Sequence, residues 1–274
     1  MICLGIDTSN YTTSVAFFDG TRGENKGRLL PVPAGALGLR QSDALFSHIK
    51  QLPPLWDELY ESIQRGKVAA VAASTRPRAV EGSYMPCFLA GEMLGRAVSR
   101  TLHIPFVPVS HQQGHVAAAA FSAGDLSLLD RPHLSWHLSG GTTELLYVTP
   151  DGACPKTEKI GGTEDLSVGQ LIDRTGKLLG VPFPAGRVLD GWSQAPAADD
   201  PAAAAFSVKV KERAFSLSGM ENKVKALVEQ GQPKEAVSRF VLDTLAAAVH
   251  AGDRAGAGAV SRPAGFVCGG RLCK

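Results

Sequence analysis

The chain has 274 residues, of which 44% are hydrophobic and 20% charged, and its formal net charge is +2. This composition predicts one large or two modest globular domains and excludes a strong global field for nucleic acid, so any nucleic-acid contact needs a local basic patch. The sequence has no run of about 18 apolar residues and no C-x-x-C pair among its five cysteines, which predicts a cytoplasmic protein with reduced thiols and no membrane contact.

The first half of the chain alternates short apolar runs with stretches of helical spacing, which is typical of an α/β fold. We expect strands over residues 2–7, 13–18, 68–74 and 104–109. We expect helices over residues 42–65, 86–101 and 112–121. Pro53 and Pro54 fall inside the first of these helices and are expected to break or kink it.

The second half repeats the opening order of strand, small polar turn and strand. We expect strands over residues 134–138, 144–148 and 265–268, and helices over residues 165–179, 219–230 and 234–250. Residues 187–204 are expected to form an irregular, alanine-rich surface stretch. The repeat predicts two lobes, residues 1–122 and residues 123–274.

Two histidines four residues apart, His111 and His115, follow the strand predicted over residues 104–109. If a helix has begun by His111, this spacing places both imidazoles on one helix face. Two neutral imidazoles in that arrangement can share one divalent metal ion. The alternative is a pair of partly exposed histidines at a helix start.

Two small polar turns follow strands and offer groups that bind phosphate. The first contains Asp7, Thr8, Ser9 and Asn10, which would present a carboxylate, small polar side chains and backbone amides. The second is Ser139-Gly140-Gly141-Thr142-Thr143, where the glycines let a ligand approach the backbone closely. Ordinary hairpin chemistry is the alternative for both turns.

Three later features suit a nucleotide. Asp173 could accept hydrogen bonds from a ribose, or it could be a solvated carboxylate beside Arg174 and Lys177. Pro184-Ala185-Gly186 is a turn that could cover a nucleotide, and Gly269-Gly270 follows the last strand. Two phosphate-type hairpins and a late strand with Gly-Gly are the layout of the actin/sugar-kinase/Hsp70-like (ASKHA) fold. That α/β fold has two related βαβ lobes with a nucleotide cleft between them.

The joint order and spacing of six motifs resemble the tRNA N6-adenosine threonylcarbamoyltransferases, the TsaD family, formerly described as glycoproteases of peptidase family M22. The motifs are Gly5-Ile6-Asp7-Thr8-Ser9, His111-Gln112-Gln113-Gly114-His115, Ser139-Gly140-Gly141-Thr142-Thr143, Asp173 to Gly180, Pro184-Ala185-Gly186 and Phe215-Ser216-Leu217-Ser218-Gly219. The resemblance extends over nearly the whole chain.

The resemblance implies transfer of a threonylcarbamoyl group from threonylcarbamoyl-adenylate to N6 of the adenosine 3′ of the anticodon, in tRNAs that read codons starting with A. It implies one divalent metal ion, iron or zinc, held by His111, His115 and a later aspartate. An adenine nucleotide is part of the substrate. The residues that carry over as contacts to the adenylate are His137, Leu138, Ser139, Gly140, Gly141, Asp173 and Gly186. The implied protein partners are a TsaB-like dimerising paralogue and an ATPase.

The sequence departs from the family's pattern at several positions. These are Tyr11 and Thr12 in place of an Asp-Glu pair, Gln113 in place of a glutamate, Thr142 in place of a histidine, and Lys274 in place of a nucleotide-binding asparagine. The family's third metal ligand lies beyond the end of this sequence. We therefore expect a chain that is C-terminally incomplete or a diverged paralogue, with two of the three metal ligands.

Two other functions are alternatives, of which these departures favour only the first. One is a non-catalytic scaffold of the same fold within a tRNA-modification complex. The other is a metallopeptidase, which needs a general base that Gln112 and Gln113 do not provide. A basic cluster later in the chain could bind the phosphates of tRNA. The alternative is a solvated helix face whose positive charge is reduced by Glu212 and Glu221. The cluster consists of Lys209, Lys211, Arg213, Lys223 and Lys225.

Overall fold

The structure is a computed structural model that describes residues 1–9, 11–32, 39–63, 67–195 and 207–255, and the backbone of residues 256–257 and 266–269. Contacts divide the chain into two compact units, Met1–Gly114 and His115–Lys274. Among the described residues, no helix combines the length and the apolar character that crossing a membrane requires.

The first unit is built on a five-stranded sheet in the order β3-β2-β1-β4-β5. Its strands are β1 (Ile2–Ser9), β2 (Thr12–Phe18), β3 (Gly23–Leu29), β4 (Val68–Arg76) and β5 (Phe106–Ser110). The β1–β2 and β2–β3 pairs are antiparallel, whereas β1–β4 and β4–β5 are parallel. The helices are α1 (Gln41–Ser62), α2 (Phe88–Leu102) and α3 (His111–Ser122), the last of which continues past residue 114.

Helix α1 runs without interruption through Pro53 and Pro54, so the prolines do not break it. Leu52, Leu55 and Leu59, on both sides of the pair, are buried in the core of the first unit. Each fully buried leucine contributes about 1.5–3 kcal/mol, which offsets a proline cost of about 3 kcal/mol per residue in a helix interior. Packing against the sheet therefore holds together a helix that local propensity disfavours.

Helix α1 also buries His48, which is fully inaccessible to solvent. Thr13 Oγ1 donates to Gln51 Oε1 at 2.8 Å, so His48 Nδ1–H donates to Thr13 Oγ1 at 2.8 Å. Nε2 is also buried. Burial lowers the pKa of His48 below its usual 6.5, although the Asp7 charge and the Ser9 backbone partly offset this effect.

The free energy of unfolding should fall as the pH drops below about 6.5, because the unfolded chain takes up a proton that buried His48 resists. Above that pH the contribution of His48 is fully present. Denaturant titrations between about pH 5 and 8 should show this slope in the wild type and a weaker one in His48→Gln. The exposed His250→Ala is the control, and an equal slope in His48→Gln would contradict the assignment.

The second unit is built on a sheet in the order β10-β6-β7-β8-β9. Its strands are β6 (His133–Leu138), β7 (Thr143–Thr149), β8 (Lys156–Thr163), β9 (Ala214–Phe215) and β10 (Phe266–Gly269). Its helices are α4 (Val168–Leu178), α5 (Gly186–Ser193), α6 (Ser218–Glu229) and α7 (Lys234–Ala257), and a short 3-10 helix covers Leu126–Asp130. The order β8-β7-β6-β10 repeats β3-β2-β1-β4, with antiparallel hairpins and a parallel final pair. The predicted internal repeat is therefore confirmed.

The expectation of an irregular stretch over residues 187–204 is wrong for its first part, which belongs to helix α5. Leu189 is fully buried in the core of the second unit, and this anchor holds a helix of only eight residues. Residues 196–206 lie outside the described residues. The same core contains Trp136, whose indole N–H donates to Asp253, and the missing side chain of Gly252 leaves room for the Trp136 ring.

Candidate functional site

The end of strand β1 brings Asp7 next to the first residue of helix α3. His111 Nδ1 lies 3.1 Å from Asp7 Oδ2, and Ser9 Oγ donates to the same oxygen at 2.9 Å. Burial raises the pKa of Asp7, but the hydrogen bond and charge of His111, with hydrogen bonds from Ser9 and Ser74, outweigh it and hold the pKa below its usual 3.8. Asp7 is therefore an ionised carboxylate that orients the His111 ring.

Helix α3 begins at His111, as the i, i+4 interpretation requires. A reciprocal capping box fixes this start. Ser110 N–H donates to Gln113 Oε1 at 2.8 Å, and Gln113 N–H donates to Ser110 Oγ at 3.2 Å. Gln113, which replaces the family's glutamate, thus has a structural role that either side chain can fill, because both offer an acceptor oxygen.

His111 and His115, the two predicted metal ligands, both lie in helix α3, four residues apart. His111 shows the arrangement of a metal-binding histidine whose other ring nitrogen is held by a carboxylate. The ring centroid of His115 lies 4.9 Å from that of His137, which is buried on β6. Within the described residues, no group of three or more His, Cys, Asp or Glu side chains is arranged to hold a metal.

The residues predicted to form the first phosphate turn lie in strand β1 and not in the turn itself. Asp7, Thr8 and Ser9 pair with β2, and Asn10 lies outside the described residues. Thr8 is fully buried. Its Oγ1 donates a hydrogen bond to Cys87 O at 2.9 Å and accepts one from the Gly91 N–H at 3.1 Å. The Thr8 hydroxyl therefore joins β1 to the start of α2.

The second predicted turn connects β6 and β7 and is attached to the N-terminus of helix α4. Ser167 Oγ donates to Gly140 O at 2.8 Å, and Val168 N–H donates to Thr143 Oγ1 at 2.8 Å. Ser139 N–H donates to Thr142 O at 2.8 Å and closes the turn. His137 and Leu138, the other predicted adenylate contacts here, are buried at the end of β6.

The glycines around this turn serve different purposes. A Cβ on Gly169 would overlap the backbone of Ser139 and Gly140, so glycine there lets helix α4 approach the turn. A Cβ on Gly140 or Gly141 would meet nothing within 4 Å, and neither residue has a positive φ. The fold itself thus does not require glycine at these two positions, and the space above them is open.

Asp173 connects helix α4 to helix α5. Its Oδ1 accepts the Ala185 N–H at 2.9 Å, and its half-buried position raises the pKa of its carboxyl. Gly186, the next predicted contact, begins α5 directly after this hydrogen bond. Arg174 forms an ion pair with Glu221 at 2.9 Å instead of accompanying Asp173. Asp173 therefore holds the turn that contains Gly186.

Asp165 holds the segment Phe215–Ser218 and was not identified from the sequence. Its carboxylate accepts hydrogen bonds from the backbone N–H groups of Leu217 and Ser218 and from Ser216 Oγ. It thus caps helix α6 from a distant position in the chain. Burial acts to raise the pKa of Asp165, but these hydrogen bonds dominate and hold it far below the usual 3.8.

Asp165→Ala should lower the free energy of unfolding by about 1–2 kcal/mol, as removal of a helix N-cap does. The contribution is full above about pH 3.8 and is lost as the pH falls below that value, because the folded form favours the ionised carboxyl. Urea denaturation at about pH 7 measures the loss, with the exposed Asp151→Ala as control. Equal stability of the two variants would show that the cap is dispensable.

The basic cluster is only partly available to a ligand. Lys225 forms an ion pair with Glu221 at 3.2 Å. Lys209 and Lys211 are exposed in an extended segment, whose intervening residue Val210 packs on the core. This alternation directs the two lysines outward.

The chain matches a family model described as TsaD, tRNA N6-adenosine threonylcarbamoyltransferase, over residues 40–255. A protein of that name from Rhizobium meliloti is 30% identical over 298 aligned residues, which cover 98% of this chain and 78% of that protein. The namesake from Latilactobacillus sakei is 34% identical over 145 residues, or 52% of this chain and 39% of that protein. The Latilactobacillus sakei protein and two other curated relatives are matched over only 39% to 51% of their own length.

Among solved structures, full-length HypF in its phosphate- and nucleotide-bound form is similar with a TM-score of 0.51 and 12% identity, over 93% of this chain and 39% of that chain. This likeness and the repeated sheet order confirm the predicted actin/sugar-kinase/Hsp70-like α/β fold. The family model covers well over half of the sequence, and the Rhizobium meliloti protein matches nearly all of it. The chain therefore belongs to the TsaD family of tRNA N6-adenosine threonylcarbamoyltransferases.

Proposed function

We propose that this chain transfers the threonylcarbamoyl group of threonylcarbamoyl-adenylate to N6 of the adenosine 3′ of the anticodon, in tRNAs that read codons starting with A. The observation that carries the proposal is the contact of Asp7 Oδ2 with His111 Nδ1 at the start of the helix that also bears His115. Family membership supplies the reaction class. The proposed partners are tRNA, an adenylate-forming enzyme, a TsaB-like paralogue and an ATPase.

His111 and His115 would hold the metal ion, iron or zinc. When bound, such an ion supplies Lewis acidity toward a carbonyl or phosphoryl oxygen. Asp7 keeps the Nδ1 proton of His111 in place, so that the opposite ring nitrogen is the one available as a ligand. The capping box of Ser110 and Gln113 fixes the helix turn that presents both rings.

The adenylate would lie against the β6–β7 turn. Gly140 and Gly141 leave open backbone for its phosphate, and the hydrogen bonds from Ser167 and Val168 hold the turn rigid. Asp173 would position the nucleotide indirectly, because its hydrogen bond to the Ala185 N–H fixes the turn that contains Gly186. These residues bind and orient the substrate, and orientation is a large part of the rate advantage in group transfer.

The test is incorporation of labelled threonine into unmodified tRNA, with the adenylate-forming enzyme and the partner proteins supplied. Wild type should incorporate the label, and His111→Ala should lose at least about 100-fold, since misplacement by about 1 Å alone can cause such a loss. His250→Ala, at an exposed histidine on α7, should stay within about twofold of wild type. A wild-type chain that incorporates no label, yet supports the other proteins, would instead favour the non-catalytic scaffold.

A further inference from the structure

Helix α3 carries a glycine, Gly114, that packing does not explain. A Cβ built on Gly114 would meet nothing within 4 Å, and the residue is exposed. Several other helical glycines have a packing reason, although Gly191 in helix α5 shares the open surroundings of Gly114. A Cβ on Gly91, Gly95, Gly169 or Gly252 would press against a neighbouring side chain or backbone.

The surrounding sequence makes this glycine more conspicuous. Four consecutive alanines, residues 117–120, follow in the same helix, so alanine suits α3 well. Glycine in a helix interior is less stable than alanine because it gives up more backbone freedom on folding. The chain therefore keeps a less stable residue where a methyl group would have room.

The position of Gly114 indicates what the missing methyl group leaves free. Residues three and four apart are neighbours on a helix surface. Gly114 follows His111 by three residues and directly precedes His115, so it lies on the face that presents both imidazoles. A side chain there would stand beside any group bound to the two rings.

We infer that Gly114 is a positioning residue that keeps this face bare, so that the carbamoyl end of an acyl-adenylate lies directly against helix α3 beside the two imidazoles. This inference rests on the proposed function and extends it to a residue whose missing side chain leaves room for the carbamoyl group. A methyl group at position 114 would hold that end of the substrate away from the rings. The adenosine end would not be affected.

The test compares Gly114→Ala with Gly191→Ala. Gly191, in helix α5, is the matched control, because it is also exposed, helical and without a neighbour within 4 Å of a built Cβ. Thermal denaturation should show an increased Tm in both variants, because each helix gains an alanine. Two ligands are titrated into each protein with Zn²⁺ present: AMP, and a threonylcarbamoyl-adenylate analogue whose phosphate is replaced by a non-transferable sulfamide.

Gly114→Ala should bind the analogue about 10-fold more weakly than wild type, a difference of about 1.4 kcal/mol. Its affinities for AMP and for Zn²⁺ should remain unchanged, and Gly191→Ala should match wild type for all three ligands. Equal affinity of Gly114→Ala and wild type for the analogue overturns the inference alone. A wild-type chain that binds neither AMP nor the analogue overturns the proposed function together with the inference.

Discussion

The double variant His111→Ala/His115→Ala should bind Zn²⁺ or Fe²⁺ at least about 100-fold more weakly than wild type, because it removes both imidazole ligands from helix α3. Asp7→Asn should weaken binding by roughly 10–100-fold, the usual consequence of removing the carboxylate that orients a metal-binding histidine. Competition with a chromophoric chelator measures both affinities. The two effects should not add, since Asp7 acts through His111.

His250→Ala is the control for this experiment, because His250 is exposed on another helix and lies 3.8 Å from Asp253. Circular dichroism should show that all variants keep the wild-type helix content. Equal metal content in wild type and in the double variant would show that the two histidines are polar residues at a helix start and do not bind metal. A loss in Asp7→Asn with none in the double variant would place the metal elsewhere.

Gly140→Val should weaken the binding of adenine nucleotide by at least about 10-fold, or about 1.4 kcal/mol. A β-branched side chain would occupy the open space above the β6–β7 turn, where we propose that phosphate approaches the backbone. The variant's Tm should stay near that of wild type, because a Cβ at this position meets no protein atom within 4 Å. Calorimetric titration with ATP and AMP measures the affinity.

Gly169→Ala is the contrasting variant, because a Cβ there would overlap the backbone of Ser139 and Gly140. It should lower the free energy of unfolding by about 1–3 kcal/mol, the usual range for overpacking. Weaker nucleotide binding in Gly140→Val would identify Gly140 as part of a ligand site. Lower stability in Gly169→Ala would identify Gly169 as a packing contact. Unchanged nucleotide affinity in Gly140→Val would mean that the β6–β7 turn connects the two strands and does not bind phosphate.

The sequence by itself determined the main strands and helices of both units and the repeat between them. Apolar runs such as residues 134–138 and 144–148 alternate with small polar turns, and this pattern is local, so it can be read without knowing the contacts. Family membership was also readable, because the order and spacing of the motifs are properties of the chain. The start of α3 at His111 is fixed locally by the capping box of Ser110 and Gln113, although the sequence predicted the helix over residues 112–121 and left a start at His111 open.

Only the tertiary structure decided the features that depend on distant residues. Strands β3, β8 and β9 were missed because their sequences lack a clear apolar alternation, and they form by pairing with neighbours already in the sheet. Helix α1 continues through Pro53 and Pro54 because buried leucines outweigh the lost backbone hydrogen bonds. The functional contacts follow the same rule. Asp7 meets His111 across 104 residues, and Asp165 caps helix α6 across 52, because such partners are brought together by the fold and leave no periodic signal in the chain.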